Sequence, residues 1–155
     1  MIKDKKLNRY ADRSSLMKVS IKFGKEDFEF NLYEELQINE SIISREIKQQ
    51  PTSYAFLLLL QTNLSSSLSK AKVEEERTYN KLYIRYKKRI NQSTNRPNSD
   101  DSAKALVNTN PIYIKAQHNT IALAKNLGTI SNCVKAFEQR SSLLQTLSAN
   151  NRKQI

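Results

Sequence analysis

The chain has 155 residues, of which 26 are Lys or Arg and 15 are Asp or Glu, so its formal net charge is +11. Hydrophobic residues make up 38% of the sequence, below the roughly 45–50% of typical globular domains, which favours one small core over the large core of most enzymes. Two glycines and three prolines argue against a turn-rich β-sandwich or barrel. A single cysteine excludes an internal disulfide framework and a Cys-rich zinc site, and a single histidine leaves almost no material for a His-based metal or triad site.

The first elements predicted in chain order are a basic arm and a β-hairpin. Residues 1–16 are polar and basic without periodicity, so we interpret them as a flexible arm that either contacts nucleic acid non-specifically or aids solubility. In residues 17–35 apolar and polar residues alternate, up to Leu32, on both sides of a turn at Gly24–Asp27, which predicts two antiparallel strands. Because an isolated hairpin is marginally stable, we expect its aromatic residues to pack in a core or subunit interface rather than a ligand pocket: Phe23, Phe28 and Phe30.

Residues 36–155 are predicted to form a helical domain. Asn39 is placed to cap a short helix that ends before Pro51. Pro51 then opens the first long helix, which is predicted over about residues 52–90. Proline is favoured at a helix start because the backbone N–H group that it lacks would have no hydrogen-bond partner there. Apolar residues recur at helical spacing throughout that range.

A polar loop over residues 91–100 follows the first long helix. Ser99 or Asp100 is the predicted cap of a short helix that continues through Val107. The second long helix is predicted over about residues 111–150. Its apolar stripe repeats mainly every seven residues: Ala116, Leu123, Leu127, Ile130, Val134, Phe137 and Leu144.

Together these elements predict a mainly α protein, a long antiparallel helical hairpin with a small N-terminal β-hairpin. At a rise of 1.5 Å per residue, helices of about 40 residues are roughly 55–60 Å long. One such helical hairpin cannot bury both its apolar stripe and the phenylalanines of the β-hairpin in a compact globule. We therefore predict that the chain forms a homo-oligomer.

Charge is distributed unevenly along the chain. Residues 1–25 and 81–96 each carry a net charge of +6, whereas residues 26–50 carry −5. The basic residues near the end of the first long helix share one helical face at spacings of 4, 7 and 8 residues: Lys81, Arg85, Lys88 and Arg89. Such a face either neutralises nucleic-acid phosphates or is a solvated charged surface.

Tyrosines occupy the opposite side of the same helix end. Tyr83 and Tyr86 either stack on unpaired bases or pack in the core, since their spacing suits both. The sequence therefore predicts a nucleic-acid-binding site composed of Lys81, Arg85, Lys87, Lys88, Arg89, Tyr83 and Tyr86.

Catalysis has no support in the sequence. Isolated acids such as Glu138 have no His or Cys nearby, and the consecutive residues Glu74–Glu76 point to different helical faces. We therefore predict a protein that is not an enzyme, with no catalytic residue, metal or cofactor.

The longest apolar run, Ala55–Leu60, is far shorter than the ~20 residues that span a bilayer, and no apolar segment follows the N-terminal lysines. We accordingly expect a cytoplasmic protein that makes no membrane contact.

Several motifs occur in a characteristic order between residues 48 and 150. They are Gln50-Pro51-Thr52-Ser53-Tyr54-Ala55, Lys81-Leu82-Tyr83-Ile84-Arg85, Asn110-Pro111, and Lys135-Ala136-Phe137-Glu138-Gln139-Arg140 with Leu143-Leu144-Gln145. This order resembles the UvsY-type recombination mediators of tailed phages. The Lys-x-Arg motif of that family is changed, because Lys81 and Arg85 are four residues apart; Arg85-Tyr86-Lys87 offers a basic–aromatic–basic alternative.

The resemblance implies a recombination mediator that binds single-stranded DNA, assembles into rings and helps to load a RecA-like recombinase onto strands coated by single-strand binding protein. It also implies that the protein acts in the cytoplasm of a phage host. The residues alone leave two other functions open. One is a non-enzymatic structural or assembly protein built on an oligomerising helical hairpin. The other is an RNA-binding or regulatory adaptor, because nothing in the sequence distinguishes DNA from RNA.

Overall fold

A computed structural model of the protein describes residues 17–23, 26–91 and 93–153. The elements in chain order are β1 (Lys18–Phe23), β2 (Glu26–Asn31), α1 (Leu32–Leu36), a 3₁₀ turn (Glu40–Ile42), α2 (Ile43–Lys88), β3 (Ile90–Asn91), β4 (Arg96–Pro97), α3 (Asp100–Asn108) and α4 (Pro111–Lys153). The mainly α fold with a small N-terminal β-hairpin is thus confirmed. The predicted basic arm, and Gly24 and Lys25 of the predicted turn, lie outside the described residues.

The N-terminal hairpin pairs β1 and β2 antiparallel and places apolar residues opposite each other. Val19 lies opposite Phe30, and Ile21 lies opposite Phe28. Val19 and Ile21 are buried, and the two phenylalanines are half-buried. The hairpin therefore contributes one apolar face to the core, as its alternating sequence predicts.

The predicted alternation extended to Leu32, but β2 ends one residue earlier. The side chain of Asn31 accepts the backbone N–H of Tyr33 at 3.1 Å and so caps α1. The N–H of Leu32 still donates to the carbonyl of Met17 at 2.9 Å, so the last rung of the ladder is kept. Local capping by an Asn side chain thus ends the strand at this point.

The predicted helix break before Pro51 is wrong, because α2 continues through this residue. A proline inside a helix removes one backbone hydrogen bond and costs about 3 kcal/mol. Tertiary contacts offset that cost on both sides. Gln50 donates its side-chain amide to the carbonyl of Phe137 at 2.8 Å, and the hydroxyl of Tyr54 donates to Glu138 at 2.7 Å. Packing against α4 therefore keeps both flanks of the proline helical.

A buried polar network holds the start of α2 in the same region. Arg140 of α4 is only 7% exposed, and its guanidinium forms an ion pair with Glu46 and donates to the side-chain oxygen of Gln50. It also donates to the carbonyl of Gln37 at 3.0 Å, in the connection before the 3₁₀ turn. The guanidinium thus joins the connection before the 3₁₀ turn and the start of α2 to α4.

Contacts divide the chain into two compact units, each containing part of α2 and part of α4. Of the described residues, those up to 62 and from 128 onward form the first unit, and those between 63 and 127 form the second. The buried apolar residues of the first unit are Val19, Ile21, Leu57, Leu60, Ile130, Cys133, Val134, Phe137 and Leu144. Those of the second unit are Leu64, Leu82, Ala103 and Val107. The predicted apolar stripe is thus buried in the C-terminal half of α4 and half-buried in its N-terminal half.

The segment between α2 and α4 is more ordered than the predicted polar loop. α2 ends two residues before the predicted Ile90, and the short strands β3 and β4 pair antiparallel after it. Asn95 in their connection has a φ of 51°, a left-handed conformation that asparagine tolerates better than most residues. Of the two predicted caps of α3, Ser99 is the one that accepts a backbone N–H, from Ser102 at 3.2 Å.

Gly128 lies within α4 and offers a simple stability test. It is exposed, and among the described residues a Cβ at this position would have no neighbour within 4 Å. Because glycine is about 1 kcal/mol less favourable than alanine inside a helix, Gly128→Ala is expected to raise the free energy of unfolding by up to about 1 kcal/mol. Urea denaturation followed by circular dichroism measures the change. The reverse substitution at exposed Ala122 should lower stability by a similar amount; a loss of stability with Gly128→Ala would show that the small residue is needed.

Candidate nucleic-acid interface

The second unit carries most of the protein's excess positive charge. Residues 63–127 contain twelve Lys and Arg against five Asp and Glu, a net charge of +7 out of +11. Half of these basic residues fall in the acid-free stretch 81–96, which comprises the end of α2 and the β3–β4 hairpin. This end of the second unit is therefore the strongest candidate for a polyanion contact.

Four of the predicted site residues form an exposed surface, which we call the cationic face: Lys81, Arg85, Lys88 and Arg89. The first three lie on one side of the last turns of α2, and Arg89 follows directly after the helix. Among the residues that the structure describes, no carboxylate forms an ion pair with any of the four. Their charges are thus available to solvent or to a ligand.

Lys87 is engaged differently from the cationic face. It is half-buried and forms an ion pair with Asp100, in the first turn of α3. The hydrogen bond to this carboxylate raises the pKa of Lys87, and the same bond, together with that from Tyr83, lowers the pKa of Asp100. Both partners therefore stay charged at neutral pH. The contribution of this pair to stability is present above the usual pKa of an aspartate and is lost as pH falls through the lowered value.

The predicted tyrosines are engaged in contacts within the second unit. The hydroxyl of Tyr83 donates to Asp100 at 3.1 Å, and this hydrogen bond is the main cause of a raised pKa of Tyr83. The ring of Tyr83 lies parallel to that of Tyr79 with centroids 6.2 Å apart, and Tyr79 meets Tyr113 of α4 edge-on at 5.4 Å. These contacts correspond to the packing alternative for Tyr83.

Tyr86 also bonds to its surroundings through both of its oxygens. Its hydroxyl accepts from the side-chain amide of Asn110 at 2.8 Å, just before α4 begins. Its carbonyl accepts from the side-chain amide of Asn98 at 2.9 Å. Tyr86 thus joins the end of α2 to the segments that flank α3. On a helix of 3.6 residues per turn, Tyr83 and Tyr86 lie opposite Lys81 and Arg85, so the tyrosines and the cationic face are not brought together.

Two further exposed residues belong to this region although the predicted site did not include them. Ile84 is 54% exposed and lies three residues from Lys81 and four from Lys88, at the edge of the cationic face. Arg96 is exposed on β4, and Asn98, two residues later, donates its N–H to the carbonyl of Arg89 at 3.1 Å. Arg96 could have been included in the predicted site because it belongs to the acid-free basic stretch over residues 81–96. An exposed isoleucine on a basic face could have been identified from helical spacing.

The described part of the chain contains no cluster of three or more His, Cys, Asp or Glu side chains that could hold a metal ion. Within the same residues, no helix is long and apolar enough to cross a membrane. The surface at the end of α2 presents exposed positive charges and an exposed aliphatic side chain.

Comparisons with known proteins identify no relative of this chain. No family model, curated protein or solved structure matches the chain. The resemblance to UvsY-type mediators stays a prediction that rests on the motifs given above.

Proposed function

We propose that the protein binds single-stranded nucleic acid through the cationic face and acts as a recombination mediator that helps to load a RecA-like recombinase. The observation that carries the binding step is the set of four exposed cations without a carboxylate partner among the described residues. Phosphate neutralisation by such side chains releases counterions and gives affinity without base readout. The mediator role rests on the resemblance to UvsY-type proteins, which also favours DNA over RNA.

The exposed isoleucine supports a single-stranded ligand. Ile84 lies at the edge of the cationic face, beside Lys81 and Lys88, and is 54% exposed. An exposed apolar side chain beside phosphate-binding cations suits the unpaired bases and sugars of a flexible strand better than the regular phosphates of a duplex. Base stacking by Tyr83 and Tyr86 is not part of the proposal, because both side chains are engaged within the second unit.

The proposal includes self-association. Four phosphate contacts per chain give a weak site, and linking several copies multiplies the affinity through avidity. Large apolar side chains exposed on α2 in the first unit are consistent with contacts between copies, among them Leu58 and Leu59 at 37% and 61% exposure. Light scattering should give a mass that is a multiple of 17.9 kDa. A mass of one chain at about 50 μM protein would contradict this part of the proposal.

The central experiment compares strand types by fluorescence anisotropy. A labelled deoxythymidine strand of about 30 nucleotides is titrated with protein, and unlabelled oligouridine and a duplex of equal length serve as competitors. The proposal predicts saturable binding of the DNA strand and weaker competition by the duplex and the RNA. Preferred binding of oligouridine would favour the RNA adaptor, and no binding at moderate salt would favour the structural protein.

Asp100 allows a sharper test of the local charge. Asp100→Asn removes one negative charge and also releases Lys87, which becomes available beside Lys88. We expect strand affinity to rise several-fold at low salt, since one additional phosphate contact is gained. Asp101→Asn is the matched control, because Asp101 is an exposed neighbour for which the structure shows no ion pair among the described residues. Equal effects of the two substitutions would mean that only net charge matters at this end of α2.

A further inference from the structure

An apolar cavity of about 430 Å³ opens in the first unit, whereas the cationic face belongs to the second. Its walls are four phenylalanines and a leucine from the β-hairpin, α2 and α4: Phe28, Phe30, Phe56, Leu57 and Phe137. A volume of this size lies within the range of small-molecule and side-chain binding sites in proteins. The buried network around Arg140 holds the start of α2 to α4. These contacts therefore fix the two helices that line this side of the cavity against each other.

The cavity leaves an aromatic surface in contact with solvent. Phe56 is 46% exposed although its ring lies only 5.8 Å from that of Phe28, at an interplanar angle of 58°. Burial of apolar surface is favourable by about 25 cal/mol per Å², so an exposed phenylalanine beside an apolar cavity favours the entry of a further apolar group. An aromatic ring or a branched aliphatic side chain has the appropriate size and chemistry.

The charge of the lining residues determines which kind of ligand fits this cavity. The exposed carboxylates of Glu29 and Glu35 line the cavity, and none of the described residues lining it is basic. The surrounding segment, residues 26–50, contains seven acidic and two basic residues. An apolar group that is flanked by positive charges is therefore complementary to this site.

We propose that this cavity is a docking site for a basic peptide segment of a partner protein. One aromatic or aliphatic side chain of the segment inserts between Phe28 and Phe56, and flanking Lys or Arg side chains lie beside Glu29 and Glu35. This inference goes beyond strand binding, because it concerns the other unit and a ligand of opposite charge. It gives the protein two surfaces, one for a polyanion and one for a cationic protein segment.

The test uses the full chain and the peptide acetyl-Lys-Lys-Leu-(4-fluoro-Phe)-Lys-Lys-amide, with no oligonucleotide present. Fluorine NMR reports the environment of the inserted ring directly. We expect a saturable change in the fluorine shift with a Kd of about 100 μM, the affinity of a single anchored side chain with flanking charges. Unlabelled peptides in which Ala-Ala replaces Leu-Phe, or Glu replaces every Lys, should fail to displace it.

Two matched pairs of variants locate the peptide. Thr52 lies in the cavity wall and is exposed, so Thr52→Phe should fill the cavity and weaken binding by about tenfold or more, whereas Thr62→Phe, on the same helix but outside the wall, should not. Glu35→Lys should weaken binding several-fold at low salt, whereas Glu40→Lys at an exposed site outside the wall should have little effect. Unchanged circular dichroism spectra establish that the variants fold.

Three results would overturn the proposal. The first is no fluorine shift up to about 5 mM peptide, since an affinity that weak is not a docking site. The second is an equal effect of Thr52→Phe and Thr62→Phe, which would place the peptide elsewhere. The third is a lower oligomer mass for Thr52→Phe in light scattering, which would identify a second copy of this chain as the occupant. None of these outcomes depends on strand binding.

Discussion

Alanine replacement of all four side chains of the cationic face is expected to weaken binding of a single strand by about 10²–10³-fold at about 0.1 M salt. Each phosphate contact on a single strand contributes a slope of about 0.7 to the dependence of log affinity on log salt, so four contacts account for nearly three decades between 0.1 M and 1 M salt. Because all four side chains are exposed, the fold and the oligomer should be unaffected. Anisotropy titration measures the affinity, and light scattering checks the assembly.

A control variant that loses the same number of positive charges shows whether strand binding depends on the position of the charges or only on the net charge of the protein. It replaces four exposed lysines that lie elsewhere on the chain by alanine: Lys72, Lys104, Lys115 and Lys135. If the strand follows the cationic face, this variant should bind less than about tenfold more weakly than the wild type, through the general field of the protein alone. Equal weakening in the two variants would mean that binding has no defined location on the second unit.

Arg140→Met is expected to lower the free energy of unfolding by about 3 kcal/mol, a large effect for one substitution. The guanidinium is buried, and its removal leaves the carboxylate of Glu46, whose side chain is 17% exposed, without its partner. The side-chain oxygen of Gln50 and the carbonyl of Gln37 lose a donor at the same time. Unpaired buried polar groups are costly even when methionine fills the space of the arginine. Urea denaturation measures the change.

A double-mutant cycle assigns that destabilisation to the ion pair. Glu46→Met alone should also destabilise the protein, whereas the double variant should be less destabilised than the sum of the single effects. Such recovery is expected because an apolar pair of similar volume often replaces a buried ion pair at little cost. The Nε atom of Arg140 has no acceptor among the described residues, so the native network is itself incompletely satisfied. Strict additivity would show that Glu46 and Arg140 act independently.

The parts of the fold that could be predicted from the sequence are those governed by local chemistry. The alternation in β1 and β2, the capping of α3 by Ser99, one of two predicted caps, and the helix start at Pro111 all depend on residues close together in the chain. Proline at position 51 also gives a strong local signal, and that signal failed. The contacts of Gln50 and Tyr54 with α4 involve residues more than eighty positions away, which no local pattern contains.

The positive charge of the candidate site could be predicted from the sequence, but the contacts that its side chains make with other elements could not. Helical spacing placed Lys81 and Arg85 on one face, and the structure exposes both. The same spacing could not show that Lys87 pairs with Asp100, because that contact depends on how α3 returns toward the end of α2. Arg140 gave a readable signal that went unused: it lies three residues after Phe137 and four before Leu144, so a charged residue stands within the apolar stripe.

The proposed function depends on these four cations carrying the electrostatic part of strand binding. Its most direct test is the salt dependence of the affinity for one oligonucleotide, measured for the wild-type chain and for the alanine variant of the cationic face. The wild-type slope of log affinity against log salt should be steeper than that of the variant by about 3, or about 0.7 for each phosphate that the variant no longer neutralises. Parallel lines for the two proteins would contradict the account, because the strand would then be neutralised by other charges.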